Sequence, residues 1–261
     1  MKILRSPRCS FSKAGGLELN APRSWKELSQ DQLRYVLTLL GTFESPVEVK
    51  TYMLLRFCGI HVAKKLPDGA RCFMRRGKFG RRSWFNLATW QVQSLIHQFD
   101  YIDSYDTMGV RLERVCGCHA VDVKLTDLTF IDYLNAEACY QGFLRTRNPD
   151  RLRELGRILY RDGEDNAPKR FEPDMVERLG CFCWFTYAKA EFARQFPHFF
   201  KPVPNGGGET DFLKLVNAQI RALTGGDVTK EKEIEQIPCW RALTELNEKA
   251  REAEEFNAKY G

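Results

Sequence analysis

Between Ser24 and Gly59 the start signals, apolar spacing and stop signals agree, and together they admit little besides two helices joined by a short loop. Ser24-Trp25-Lys26-Glu27 and Ser29-Gln30-Asp31-Gln32 each pair a serine hydroxyl with a Glu or Gln three residues on that can reach back to the cap, so one of them opens the first helix. Leu33, Val36, Leu37 and Leu40 then recur at helical spacing as far as Gly41, a residue that tolerates the left-handed backbone of a helix end. Ser45-Pro46-Val47-Glu48 opens a second helix with its proline where the missing amide is not needed, and Val49, Met53, Leu54 and Phe57 carry the stripe to Gly59. Two such helices cover only part of each other's apolar face, so the rest of the chain must supply another layer.

The remaining pattern is largely helical as well. Leu66-Pro67-Asp68-Gly69 is a turn signal, and Cys72, Phe73 and Met74 beyond it, interrupted by Gly77 and Gly80, predict a short hairpin or an ordered loop over 64–82 with arginines along its edges. A helix is expected at Asn86 to Gln98 with Leu87, Trp90, Val92, Leu95 and Ile96 inward, then a second small hairpin from Val110 to Glu113 and Ala120 to Leu125 around Cys116-Gly117-Cys118. Thr126 or Thr129 caps a helix running to about Arg145, and Asn148-Pro149-Asp150 restarts the chain into an amphipathic helix. Pro173 to Phe196 is the longest expected helix, apolar on so much of its circumference that its middle should be the centre of the core. Asn205-Gly206-Gly207-Gly208 reads as a joint, and helices follow it to the end. The expected fold is mainly α: a tail over 1–21, a multi-helix core domain over 22–201 with one or two small β-hairpins, a linker over 202–210, and a helical C-terminal extension over 211–261.

Charge is distributed unevenly along this framework. Lys64, Lys65, Arg71, Arg75, Arg76, Lys78, Arg81 and Arg82 stand against Asp68 alone, a local charge of +7 in a chain whose total is +6, so the remainder is slightly acidic. Cations on a hairpin with Phe73, Phe79, Trp84 and Phe85 interleaved are suited to phosphate contact and base stacking, and equally to a solvated edge or an acidic protein face. The nine cysteines are scattered, several in apolar helical stretches, which fits buried free thiols and a reducing, cytoplasmic setting. No apolar run reaches the roughly 18 residues of a membrane span, and residues 1–19 lack the apolar core of a secretory signal, so no membrane association is expected.

Other patterns point weakly to chemistry. Cys116-Gly117-Cys118-His119, with Cys139, Cys181 and Cys183 elsewhere, has close pairs separated by one residue, whereas structural zinc sites use two to four, so no metal is expected. Cys118 and His119 are neighbours on an extended segment and point to opposite faces, which argues against a nucleophile and its base. Asp100, Asp103 and Asp106 lack the alternating oxygens of a calcium loop, and Gly206 to Gly208 is not followed by the Lys-Ser or Lys-Thr of a phosphate loop. No catalytic residue and no cofactor is expected. On the last helix Trp240, Leu243, Leu246 and Ala250 form a narrow stripe that must dock on the chain's own domain or on a protein partner.

The run Pro22-Arg23-Ser24-Trp25-Lys26-Glu27-Leu28-Ser29 with Gln32-Leu33, followed by Val49-Lys50-Thr51-Tyr52 and Leu54-Leu55-Arg56, resembles the start of helical proteins encoded in phage and prophage tail-morphogenesis gene clusters. The closing run from Leu223-Thr224-Gly225-Gly226-Asp227 to Trp240-Arg241-Ala242-Leu243 is similar in style. The resemblance implies a non-enzymatic structural or assembly role in a phage-like particle made in a bacterial cytoplasm, with virion or tail proteins, or further copies of the chain, as partners. It carries over no functional residue. The alternative reading is a nucleic-acid-binding accessory protein that uses the hairpin over 64–82.

Overall fold

The computed structural model describes residues 10–11, 17–18, 21–76, 80–201 and 212–260. Over these the chain is mainly α-helical with small antiparallel sheets and with helices at its C-terminal end. It divides into two compact units, Met1–Thr107 and Met108–Gly261. The division differs from the single core expected over 22–201, because it falls where the sequence carries no proline- or glycine-rich run. Within residues 1–20 only β1 (Ser10–Phe11) and β2 (Leu17–Glu18), an antiparallel pair, are described, and the linker expected over 202–210 lies outside the described residues.

In the first unit Ser29 is the helix start. Its hydroxyl accepts from the Gln32 amide at 3.3 Å while Gln32 Oε1 accepts from the Ser29 amide at 2.9 Å, a reciprocal cap that begins α1 (Gln30–Thr42). Ser24 instead precedes a single 3-10 turn, Trp25–Glu27, whose indole is buried and donates to the Tyr101 carbonyl at 2.8 Å. α1 packs against α2 (Pro46–Phe57), and Leu33, Val36, Leu37, Val49, Met53 and Leu54 are buried as their spacing requires. A three-stranded antiparallel sheet follows, β3 (His61–Leu66), β4 (Gly69–Arg76) and β5 (Arg81–Ala88), with β4 in the centre. The hairpin expected over 64–82 is thus longer at both ends. The helix expected from Asn86 begins later, as α3 (Thr89–Ile96), because the alternation of β5 continues through Leu87 and the Gln91 side chain accepts from the Ala88 amide at 2.9 Å.

One buried charge organises this unit. Lys50 on α2 is 7% exposed, and its ammonium donates to Asp100 Oδ1 and Asp103 Oδ2, both at 2.6 Å. Two of the three aspartates that suggested a cation site are therefore spent on the chain's own cation. Burial works against the charged Lys50, but the hydrogen bonds to the two carboxylates outweigh it and its pKa is raised. The same bond from Lys50, with a second from His97, holds Asp100 below its ordinary value. A carboxyl depressed in the folded state binds its proton sooner when unfolded, so its stabilisation is complete above its unfolded pKa and is lost as pH falls through the folded one. Acid melts should therefore show a loss of stability below about pH 4 that Asp100→Asn reduces, the remainder coming from depressed carboxyls such as Asp122. The double change Asp100→Asn, Asp103→Asn should cost about 2–3 kcal/mol at neutral pH by urea unfolding, less than a fully buried pair because both carboxylates are half exposed.

The second unit is built around α6 (Met175–Gln195). Asp174 accepts from the Glu177 amide at 2.8 Å and Glu177 from the Asp174 amide at 3.0 Å. Cys181, Cys183, Trp184, Phe185, Tyr187 and Ala188 are all buried, so the middle of the helix is covered nearly all round. α4 (Phe130–Thr146), capped by Thr129, and α5 (Pro149–Leu159), capped by Asn148, pack on each other, and α5 packs on α6. In the small sheet of β6 (Arg114–Val115), β7 (Cys118–Ala120) and β8 (Tyr160–Arg161), β6 begins later than the strand expected over 110–113 and β7 earlier than the one expected over 120–125, so the hairpin is tighter, and the third strand follows directly on α5.

The C-terminal helices α7 (Phe212–Thr224), α8 (Glu231–Gln236) and α9 (Cys239–Tyr260) belong to this same unit. The start of α9 is laced to the start of α4: the Cys239 amide donates to the Leu128 carbonyl and the Phe130 amide to the Ile237 carbonyl, both at 2.8 Å. Among the described residues no helix is long and apolar enough to cross a membrane.

Candidate nucleic-acid interface

β4 alternates strictly: Ala70, Cys72 and Met74 fall on one side of the pleat and Arg71, Phe73 and Arg75 on the other. Cys72, Met74 and Leu87 of β5 are buried, so that side is covered at its centre. The other side is set by register. Phe73 stands opposite Trp84 on β5 and opposite His61 on β3; Arg71 stands opposite Asn86 and Lys64; Arg75 stands opposite Arg82. This face carries three rows: Lys64, Arg71 and Asn86; then His61, Phe73 and Trp84; then Arg75 and Arg82.

A β-bulge makes the first row possible. His61 and Lys64 are three residues apart, which in a regular strand would place them on opposite faces. The register shifts between Val62 and Lys64, Ala63 is left without a partner, and Lys64 rejoins the face of His61.

The aromatic row is a continuous shelf. The His61 and Phe73 rings stack at 4.9 Å with 14° between their planes, and Phe73 and Trp84 lie 5.0 Å apart at 47°. Trp84 is 48% exposed. The Arg71 guanidinium sits 5.2 Å over the Trp84 ring and that of Arg82 5.0 Å over Phe73. At exposed sites such contacts are worth about 0.5–1 kcal/mol, less than the ~1–3 kcal/mol of a base on an aromatic ring, so a base can take the place of the guanidinium.

The electrostatics of the face are one-sided. Among the described residues no carboxylate forms an ion pair with Lys64, Arg71, Arg75 or Arg82, whereas Lys50 in the same unit is doubly paired. Like charges directly opposite on neighbouring strands repel, and both Lys64 with Arg71 and Arg75 with Arg82 are such pairs. An anion laid on the face relieves that repulsion.

Of the eight cations expected to act together, the structure gathers four. Lys65 opposes Ala70 and Arg81 opposes Arg76, which puts Lys65 and Arg81 on the other side of the pleat. The Arg76 side chain, Lys78 and Phe79 lie outside the described residues. Phe85 opposes buried Cys72 and is no stacking platform, and Trp90, expected to face inward, is 68% exposed on the first turn of α3. His61 was not singled out from the sequence; its signal is positional, since it follows the helix stop at Gly59 and opens the strand whose Lys64 was noticed.

The other candidates resolve differently. The stripe of α9 is used inside its own unit: Leu243 and Leu246 are buried, Ala250 is half-buried, and Trp240 meets Phe192 and Phe196 edge-on while donating to the Lys124 carbonyl at 2.8 Å. These residues therefore do not present the partner surface expected of them. At the β6–β7 turn Cys118 is buried and its pKa raised by that burial, while His119 is exposed with Nε2 3.3 Å from Asp165 Oδ1, so thiol and imidazole do not meet. Among the described residues no three His, Cys, Asp or Glu side chains converge on a metal-sized position. Gly206 to Gly208 lie outside the described residues.

No protein-family model, no curated protein and no solved structure matches this chain.

Proposed function

We propose that the chain is a non-enzymatic, nucleic-acid-binding accessory protein that takes the phosphate backbone on the exposed face of the β3–β4–β5 sheet. The observation that carries this reading is the register that sets Lys64, Arg71, Arg75 and Arg82 on one face, with no carboxylate paired to them among the described residues. Assembly into a phage-like particle, the role implied by the resemblance of the N-terminal and closing runs, would use the basic hairpin and the C-terminal helices as contact surfaces; of these, Leu243 and Leu246 of the α9 stripe are buried within their own unit, which leaves the hairpin.

Binding through four cations predicts a strong salt dependence. For a labelled oligonucleotide followed by anisotropy, the logarithm of the association constant should fall linearly with the logarithm of salt, with a slope of about −3. Arg75→Glu with Arg82→Glu should weaken binding at least tenfold and flatten that slope. The double reversal keeps two like charges opposite each other, so its melting temperature should stay close to that of the parent. Affinity that ignores salt, or survives this reversal, would sink the proposal.

A further inference from the structure

Resting on that reading, we infer that the ligand is an unpaired strand, laid over the sheet so that its bases stack on the row His61, Phe73 and Trp84 while the cations on either side of that row hold its phosphates. A double helix keeps its base planes inside the stack and offers a protein only groove edges and phosphates. Against a duplex the aromatic shelf would be idle. Unpaired bases expose their π-faces, and a positive groove with aromatic platforms is how proteins bind them with little regard to sequence.

The geometry has the required order. The shelf lies between the two cationic rows, each two residues from it along β4 and β5, about 6.8 Å by strand rise. Its outer member, Trp84, is half exposed, while Trp25 and Trp184 elsewhere in the chain are fully buried. Arg71 and Arg82 already rest over Trp84 and Phe73, which shows that each of these rings has a face open to a flat, polar group. When a base takes that face the displaced guanidinium remains beside it, within reach of the flanking phosphate. Ribose and deoxyribose strands share this chemistry.

The test is a tryptophan-fluorescence titration of the full chain carrying Trp90→Phe, which removes the other strongly exposed indole. Oligothymidylate, oligouridylate of equal length and a blunt duplex are compared at low salt. The expected result is single-strand affinity at least tenfold above duplex affinity, with quenching that disappears when Trp84→Phe is added. Trp84→Ala should weaken single-strand binding about tenfold and leave duplex binding unchanged, while Trp84→Phe, which keeps a ring, should retain most of the affinity and serves as the folding control. The two single-strand arms decide between RNA and DNA. Equal affinity for duplex and single strand, or single-strand preference indifferent to Trp84→Ala, would overturn the stacking inference while leaving the phosphate reading in place. Absence of binding to all three probes would overturn both.

Discussion

Trp184→Ala is expected to destabilise the second unit by about 4–6 kcal/mol, the largest single-residue effect in the protein. The indole is fully buried in the middle of α6, meets Tyr160 edge-on at 5.9 Å, has the Arg111 guanidinium 5.4 Å over its ring, and donates to the Val123 carbonyl at 2.9 Å. Truncation to alanine leaves a large cavity, for which buried tryptophans and phenylalanines cost about 3–5 kcal/mol. It also strands a carbonyl, for about 1 kcal/mol or more. Trp184→Phe separates the two, because it keeps most of the apolar volume and loses only the donor, and should cost about 1–3 kcal/mol. Urea unfolding followed by circular dichroism distinguishes the outcomes. If both variants lose the same amount, the hydrogen bond rather than the volume is the dominant contribution.

Gly69→Ala is expected to cost about 3–5 kcal/mol and to abolish binding on the sheet face with it. Gly69 closes the two-residue turn between β3 and β4 at a φ of 155°, and a Cβ there would lie 2.2 Å from the Leu87 carbonyl oxygen and 2.8 Å from the Ala88 Cα. Those are backbone atoms of the neighbouring strand, paired in register with Ala70 and Gly69, so they cannot swing aside as a side chain could. The strand must move, and the pairing that assembles the three rows moves with it. Hydrogen exchange should report the loss as faster exchange across β4 and β5, with the amides of α6 unaffected.

What could be read from the sequence was what depends on neighbours along the chain. The reciprocal cap at Ser29, the proline starts of α2 and α5, the turn at Pro67-Asp68-Gly69 and the buried middle of α6 are local or nearly so, and each lies where its residues placed it. The failures required partners distant in sequence. Leu87 fits a helix and a strand equally well, and only pairing with Ala70 decides for β5. β8 is a strand only because His119 and Ala120 lie beside it. The apolar stripe of α9 was visible, but a stripe does not say what covers it: Trp240 meets Phe192 and Phe196, and the helix as a whole lies against α4 and α7. The basic segment was legible as charge and not as a surface, since its division between faces depends on parity and the bulge shifts that parity by one.

That bulge has a consequence for how the strand tolerates change. One end of β3 is pinned by the turn that sets Leu66 against Gly69, the other by the helix stop at Gly59 that delivers His61 to Phe73, and the two ends differ by one residue from a regular ladder. Ala63 absorbs the difference. Length variation in this strand therefore has a reserved position: removing Ala63 leaves an unbroken ladder with His61 and Lys64 still on the same face, whereas removing Lys65 with both ends held would set Ala63, not Lys64, opposite Arg71. The turn and the aromatic shelf are in this sense separately heritable parts, joined by a single dispensable residue.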